Sequence, residues 1–598
     1  MDQKDQKNMR NNNNDAKKDF NNRALAIFAV VFLLTGVLVY NLYVLQIRFV
    51  EKYSMLSDKN RIRLSPVIPK RGKFITADGK VIASSNRCYK LMVESCDEKT
   101  FLKNIDLISS CVHMSDNEKQ RIISARKNTP RYTPIIIKDT LSWEEYSRLA
   151  LIFFKFNFVS VDYAFTRSYD MPYEFSHVLG YTSRKSDGAL RIIKGKTGAE
   201  FFFNNELTGK IGNTQMEINA AGKKMRLLES TDPTNGKDIT ITIDSRIQKF
   251  TYDLISKEKA GACVVLNVEN GNVIAMVSVP GFDISAFSSR VTRKYWKEIV
   301  DDKLFPLMNR VISGTYPPGS LFKIVVAFAA LSEGIVNPQD TVYCSGSTLM
   351  DNHLFHCVNR RGHGKVDLCD ALKKSCDCYF FDVAKKLGIE KIAKYARQLG
   401  FGEKTGIEIP NENPGLVPDK TWKFMKHGQT WKPYETILVG IGQGAILSTL
   451  LQVAVMFGKI YSGNLDFAPT LIKKDSKDII NNPINCKNID IIKKALYQVC
   501  NEVGGTAARS CRTQYGISGK TGSSQVRRIK DSEVGLVKQD TIPWKFRDHA
   551  FFVGCAPYDK PKYVVAVMVE HGGWGSRTAA PIARQIFDKL MELEKLEK

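Results

Sequence analysis

At 598 residues the chain is long enough for two or more domains with full hydrophobic cores. Its 87 basic against 62 acidic residues leave a formal charge of +25. That balance suits an anionic membrane or wall polymer, and with no nucleic-acid motif in the chain it makes no case for DNA or RNA as a partner. The 13 cysteines are an odd number and cannot all pair within the chain; five crowd between Cys344 and Cys378, which points to a metal site more than to a disulfide framework.

Residues 1–23 are polar, with an asparagine run at 11–14, and are read as a disordered tail. Residues 24–45 carry no charge and are long enough to cross about 30 Å of hydrocarbon, with Tyr40 and Tyr43 suited to the outer interface. Lys4, Lys7, Arg10, Lys17, Lys18 and Arg23 precede this stretch, so the N-terminus is expected in the cytoplasm and the remainder outside the membrane. The apolar core is too long for a cleaved signal, and no small-x-small site follows closely, so an uncleaved anchor is expected. Residues 46–237 show mixed structure without evident chemistry. A second unit, 238–598, opens with an alternating strand at 238–243. The runs 262–266 and 273–279 flank Asn270-Gly271, a hairpin signal. The middle, about 320–460, is mostly helical; strands return at 549–555 and 563–570, and 581–598 reads as an amphipathic helix. Strands at both ends with helices between them predict an α+β fold with one antiparallel sheet.

The chemistry centres on Gly314-Thr315-Tyr316-Pro317-Pro318-Gly319-Ser320-Leu321-Phe322-Lys323. Two prolines and a glycine end the preceding chain, and a helix can start at about Ser320 and run to Gly334. Ser320 and Lys323, three apart, share a helical face. The amine can take the hydroxyl proton only when neutral, so its reference pKa near ~10.4 must be lowered by burial or a second cation. Alone, the pair is equally an ordinary capping serine and a surface lysine. Two further motifs follow in order, Ser375-Cys376-Asp377 and Lys520-Thr521-Gly522. Lys-Thr-Gly occurs three times, at 196, 404 and 520. Lys196 precedes the serine, and Lys404 sits between a helical pattern and Pro410 as a surface turn would; Lys520 follows a short apolar segment and precedes two strand-like runs, as a lysine on an inner strand bordering a cleft requires.

Ser-x-x-Lys, Ser-x-Asn/Asp and Lys-Thr-Gly in this order resemble the signature of penicillin-binding proteins and serine β-lactamases. From about Ala24 to its end the chain is similar to class B penicillin-binding proteins of the elongation type. Asp377, Trp431, Glu435, Thr436 and Gly440-Ile441-Gly442-Gln443-Gly444 match that type, although Asp377 stands where asparagine is commoner. The resemblance implies a transmembrane anchor, an elongated pedestal and a transpeptidase domain. It places pedestal motifs at Arg71-Gly72 with Asp78-Gly79 and Ala83, at Arg167-Ser168-Tyr169 with His177-Val178-Leu179-Gly180-Tyr181, and at Gly195 to Glu200. His177 is read there as a packed histidine rather than a base.

The resemblance further implies acyl transfer between peptidoglycan stem peptides. Ser320 attacks the D-Ala-D-Ala carbonyl, Lys323 takes its proton, and Ser375 relays a proton to the leaving amine. Asp377 and Lys520 shape the network, with Lys520 as the second cation that keeps Lys323 neutral. Lys520 and Thr521 hold the substrate carboxylate, with Gly522 and Ser523 beside them, and the N–H groups of Ser320 and Ser523 form the oxyanion hole. β-Lactams are expected to trap Ser320, and water in place of the acceptor amine gives a carboxypeptidase side activity. The implied partners are the membrane, a SEDS glycosyltransferase of the rod-shape machinery and elongasome scaffold proteins. No cofactor is needed for the chemistry.

Cys344, Cys357, His363 and Cys376 are spaced C-x12-C-x5-H-x12-C, a set that suits tetrahedral structural zinc, with His353 or His356 as alternatives to His363. Some elongation-type relatives hold zinc in this region. A division-type transpeptidase, a membrane-anchored β-lactamase and a scaffold that mainly activates a glycosyltransferase remain rival readings.

Overall fold

The structure, a computed structural model, describes residues 3–93, 98–129, 134–155, 158–187, 190–218, 224–288, 291–351, 353–473, 481–486, 489–527 and 541–596. It opens with the helix Gln3–Tyr43, continued by a wider turn at Val44–Arg48. This corrects the reading of residues 1–23 as disordered. No glycine or proline interrupts the chain before Gly36, so nothing stops the apolar helix from propagating back through the polar stretch. Phe20–Arg48 is long and apolar enough to cross a membrane. Its side chains, Leu25, Phe28, Phe32 and Leu38 among them, stand exposed, with no protein core to cover them.

The next unit is built on two sheets. Ile62–Val67, Gly212–Ile218 and Lys224–Thr231 form one antiparallel sheet. In the other, the long strand Val81–Val93 pairs along its length with Val159–Tyr169 and also with Phe74–Ile75 and Ile135–Leu141. Helices Glu98–Cys111, Asp116–Asn128 and Trp143–Ala150 close a small core around Leu91, Phe101, Ile108 and Leu149. The latter two open with capping boxes, Ser115 with Glu118 and Ser142 with Glu145. The alternating run at 238–243 contributes only Ile239–Thr240 as strand, and it pairs in parallel with Phe74–Ile75. This strand, just past the expected boundary at 237/238, completes the sheet of the first unit, because the edge of Phe74–Ile75 offers open hydrogen-bonding groups that it satisfies.

The three motifs scattered over residues 71–200 converge on one buried carboxylate. Glu200, fully buried, accepts from Arg71 Nε (2.8 Å), Arg167 Nε (2.6 Å) and Tyr169 OH (3.2 Å). Asp78 joins the two units by accepting from the Ser245 N–H (2.9 Å) and hydroxyl (2.6 Å) at the start of helix Ser245–Ile255.

The second unit carries a five-stranded antiparallel sheet in the order Val273–Val279, Gly261–Asn267, Tyr563–Val569, His549–Ala556, Ser518–Ser524. One face packs on Leu450–Ser462, with Lys323–Ser332, Asp377–Leu387 and Ile389–Gln398 in the same core; the other packs on Ser245–Ile255 and Ala579–Leu596. Burial on both faces is why Tyr563–Val569 reads as an unbroken apolar run rather than an alternating one. The middle of the unit is not all helix: Val342–Cys344 pairs with Gly364–Val366, and Ser347–Met350 with His353–His356.

Candidate active site

Ser320 sits in a 3-10 turn, Gly319–Leu321, and the α-helix begins only at Lys323, three residues later than expected. The cause is Gly319, whose φ of +55° opens the turn and whose N–H donates to the Gly442 carbonyl at 2.8 Å. A side chain on Gly442 would lie 2.1 Å from the Gly319 carbonyl oxygen, so the 440–444 glycine run serves as the cradle of the serine turn. Ser320 and Lys323 still share a face, since residues three apart eclipse in such a turn. Ser320 is half-buried at the mouth, whereas Lys323 is fully buried.

Lys323 Nζ donates to the Asp377 carboxylate (2.7 Å), the Ser375 carbonyl (2.8 Å) and the Ser375 hydroxyl (3.2 Å). These three acceptors match the three donors of an ammonium, with the Asp377 carboxylate as the charged one. Ser375 lies in the turn between helices Leu368–Lys373 and Asp377–Leu387, at a φ of +56°, which a side chain rarely adopts. Asp377 opens the second helix, and its other oxygen accepts the Val358 N–H at 2.7 Å.

Lys520 lies buried on the strand Ser518–Ser524, its Nζ donating to the Thr521 carbonyl at 3.2 Å. Burial first, and the Lys323 cation second, bring its pKa down to about 7, with Asp377 and Cys500 opposing. Lys323 has a carboxylate partner, whereas Lys520 has a backbone carbonyl and burial suppresses its charge.

Gly522 passes directly over the serine turn; a side chain on it would meet Leu321 and the Pro318 carbonyl at 3.0 and 3.3 Å. Ser523 follows, its carbonyl packed on Gly319 and its hydroxyl accepting from the Gly575 N–H at 3.4 Å. Thr521 has a partner that sequence reasoning missed. Thr506 Oγ1 lies 2.9 Å from Thr521 Oγ1, and the Thr506 N–H donates to the Lys373 carbonyl, so the Gly504-Gly505-Thr506 turn bridges the second and third motifs. Nothing in its local sequence marks Thr506 except the two glycines before it.

The other two Lys-Thr-Gly sites are structural. Lys404 is exposed, while Thr405 and Gly406 grip the Glu412 carboxylate. Lys196 is exposed, and Thr197 accepts the Tyr181 N–H. His177 donates through Nε2 to the Pro306 carbonyl (2.8 Å), and burial lowers its pKa to about 4, so it is a neutral packed residue. Trp431 Nε1 donates to Thr436 (2.8 Å), and Glu435 pairs with Lys423 (2.5 Å).

Beside Ser375 and Asp377, the donor atoms of Cys344, Cys357, His363 and Cys376 lie within 4.8 Å of one another. His363 Nδ1 is 3.6 Å from Cys344 Sγ and 3.5 Å from Cys357 Sγ, and the Cys357 and Cys376 sulfurs are 3.9 Å apart. Hydrogen bonds from the Cys376 and Cys378 thiols pull the Cys357 thiol toward its ionised form. His363 fills the place for which His353 was an alternative; His353 instead packs on Tyr434, ring centres 5.8 Å apart. The cluster touches the catalytic motif reciprocally: the Asp377 N–H donates to Cys357 Sγ (3.3 Å), and the next residue, Val358, donates its N–H to the Asp377 carboxylate.

Residues 261–588 match the family described as the penicillin binding protein transpeptidase domain, and residues 66–241 the penicillin-binding protein dimerisation domain. The chain is similar to the peptidoglycan D,D-transpeptidase MrdA of Haemophilus influenzae, 33% identical with 95% of this chain and 91% of the relative covered. It superposes on the penicillin-binding protein PBP2 of Helicobacter pylori, solved in complex with MreC, with a TM-score of 0.80 and 28% identity over 89% of this chain and 99% of that one. A structure described as a peptidoglycan synthase complex coordinating polymerization and crosslinking is similar at a TM-score of 0.67 and 26% identity, covering 94% and 97%.

Proposed function

The chain belongs to the class B penicillin-binding proteins of the elongation type, and on that premise we propose how its side chains perform the reaction and what they bind. It is a serine D,D-transpeptidase that cross-links peptidoglycan stem peptides. The observation that carries the reading of its site is Lys323, buried behind Ser320 and bonded at once to Ser375 and Asp377. The donor's terminal carboxylate binds at Thr521 and Lys520 and favours the proton on Lys520. The two lysines repel when both are charged, so the proton they share leaves Lys323. The free amine takes the Ser320 proton as Oγ bonds to the carbonyl carbon. The oxyanion rests on the Ser320 and Ser523 N–H groups, each worth about 3 kcal/mol of barrier. The C–N bond then breaks, Lys323 returns the proton through the Ser375 hydroxyl to the departing D-alanine, and an ester remains on Ser320. The acceptor amine attacks the ester, loses its proton along the same route and restores Ser320. Intact-mass and peptide-mass measurement after incubation with a fluorescent penicillin tests the reading: a stable adduct on the Ser320 peptide supports it, and hydrolysis without an adduct overturns it.

A pH profile follows from Lys520, which faces Lys323, Asp377 and Cys500. A lysine held at about 7 is a cation below that pH and neutral above it. Below pH 7 Lys520 is already charged and cannot take the proton that Lys323 must give up. The second-order acylation rate is expected to rise up to about tenfold per pH unit from pH 5 to about 7 and to level off above it. Acylation rates that fall steadily from pH 6 to pH 8 would contradict the shared proton.

The cysteine–histidine cluster fits structural zinc. Tetrahedral bonds of about 2.3 Å to sulfur and about 2.0 Å to nitrogen imply edges of about 3.8 Å between sulfurs and about 3.5 Å from sulfur to nitrogen. The observed spacings are 3.9, 3.6 and 3.5 Å. Cys344, Cys357, His363 and Cys376 would hold the ion with no open position, and zinc would neutralise the three thiolates without entering the reaction. The peptide of Cys357 and Val358 then braces Asp377. Native mass spectrometry is expected to show one zinc per chain. Its removal by chelator should lower the melting temperature and slow acylation by about 10-fold or more; a metal-free native protein with full acylation would sink the assignment.

The basic flank orients the anchor with its N-terminus in the cytoplasm and the catalytic unit outside. By likeness to the two complexes above, the pedestal and anchor would engage an MreC-type scaffold and a glycan-polymerising SEDS partner, as part of the elongation machinery. A carboxypeptidase side activity would arise when water replaces the acceptor amine.

A further inference from the structure

We infer that Glu570 is a positioning residue for the reaction, setting the catalytic serine's turn through Tyr316. The inference rests on the transpeptidase reading and deepens it. Glu570 directly follows Tyr563–Val569, the middle strand of the catalytic sheet, and its N–H is tied to the Ala260 carbonyl at 2.9 Å. Tyr316 OH donates to Glu570 Oε1 at 2.6 Å, and Arg310 donates through its guanidinium Nη2 to Oε2 at 3.1 Å. Arg310 is itself almost fully buried and donates to the Leu304 carbonyl at 2.6 Å, in the segment whose Pro306 carbonyl receives the His177 imidazole of the pedestal. The carboxylate is therefore held from its own strand and by a cation that cannot swing away.

Tyr316 lies four residues before Ser320, and Pro317 and Pro318 stand between them. Two prolines fix φ at successive residues and remove two backbone donors, so this link is stiff. The Tyr316 backbone pairs with Ser448 (2.9 Å in both directions), and its ring stands edge-on to His549 and Phe551, with ring centres 5.3 and 6.0 Å away. Those contacts leave the ring tilt and slide to the hydroxyl, and the hydroxyl's partner is Glu570. A shift of Tyr316 would pass along the proline pair to Gly319, which packs against the Ser523 carbonyl, and would move Ser320 relative to the oxyanion donors. Burying a carboxylate against a tyrosine is expensive where the only return is packing; a nonpolar contact would fill the same space. Glu570 touches neither the substrate nor the reacting atoms, and it acts through Tyr316.

The test uses the full chain in nanodiscs, with stopped-flow acylation by a fluorescent penicillin resolving the binding constant from the acylation rate constant. Glu570→Gln and Tyr316→Phe are each expected to lower the acylation rate constant about 10-fold, with the binding constant within about twofold of the parent. The double variant should be no worse than the slower single one, because both remove the same contact. Should Glu570→Gln fail to fold, Tyr316→Phe, which loses only a hydroxyl, carries the test. Acylation within twofold of the parent in folded Tyr316→Phe, or a change in binding alone, overturns the inference. A parent chain that forms no adduct on Ser320 overturns the transpeptidase reading instead.

Discussion

Lys323→Arg is expected to slow penicillin acylation by about 10²–10⁴-fold, the range that a positioned proton acceptor contributes. Ser320→Ala should abolish the adduct altogether. Arginine keeps a cation opposite Asp377, so the 2.7 Å ion pair has a successor and the fold has no large reason to fail. It cannot release its proton near neutral pH, so the step in which the Ser320 hydroxyl is deprotonated loses its base. Lys323→Ala would remove both functions and leave Asp377 partly unpaired in a buried site, which costs stability as well as rate. Stopped-flow acylation with thermal melting as a control separates the two. Lys323→Arg acylating within tenfold of the parent while melting normally would show that Lys323 is an electrostatic support and that the base lies elsewhere.

Glu200→Ala is expected to destabilise the pedestal by about 3–5 kcal/mol. The two guanidiniums of Arg71 and Arg167 are almost wholly buried and share this one carboxylate, at 2.7 and 2.6 Å. Without Glu200 both charges stay in a low-dielectric interior with only neutral acceptors to meet them, Gly72 O, Thr208 Oγ1 and Asn204 Oδ1 among them. Urea unfolding of the full chain, followed by limited proteolysis mapped to residues 62–218, should show the pedestal transition moving to markedly lower denaturant. A shift worth less than about 1 kcal/mol would mean that the arginines find other partners and that the network is not what holds the three motifs together.

Several elements were legible before any coordinates. The three catalytic motifs could be placed in order, and Lys520 could be chosen over Lys196 and Lys404, because only a strand setting suits a lysine that lines a cleft. The hairpin around Asn270-Gly271 and the strand Tyr563–Val569 followed from local pattern. The cysteine–histidine set was chosen from spacing, with His353 and His356 left as alternatives to His363; the loop's path between Cys357 and Gly364 turns His363 inward and leaves His353 on Tyr434. The helical form of residues 3–23 and the sheet to which Ile239–Thr240 belongs also escaped, since one depends on propagation from a neighbouring helix and the other on the edge of Phe74–Ile75, far back in the chain.

By itself the sequence determined the inventory: a nucleophile, two lysines, a serine and an aspartate, in the order and spacing that penicillin-binding proteins and serine β-lactamases share, with three cysteines and a histidine beside them. Those are properties of residue type and separation along the chain, and they survive without a fold. The partner of each lysine was decided only by the tertiary structure. Both are buried, but Lys323 meets Asp377 at 2.7 Å while Lys520 meets a backbone carbonyl, and in Lys520 desolvation lowers the pKa to about 7. The same holds for Thr506 beside Thr521, for Val358 beneath Asp377 and for Glu570 behind Tyr316. Each is brought to the site from a distant part of the chain by packing around the sheet, and a hydrogen bond exists only where packing has set two groups about 3 Å apart with water excluded.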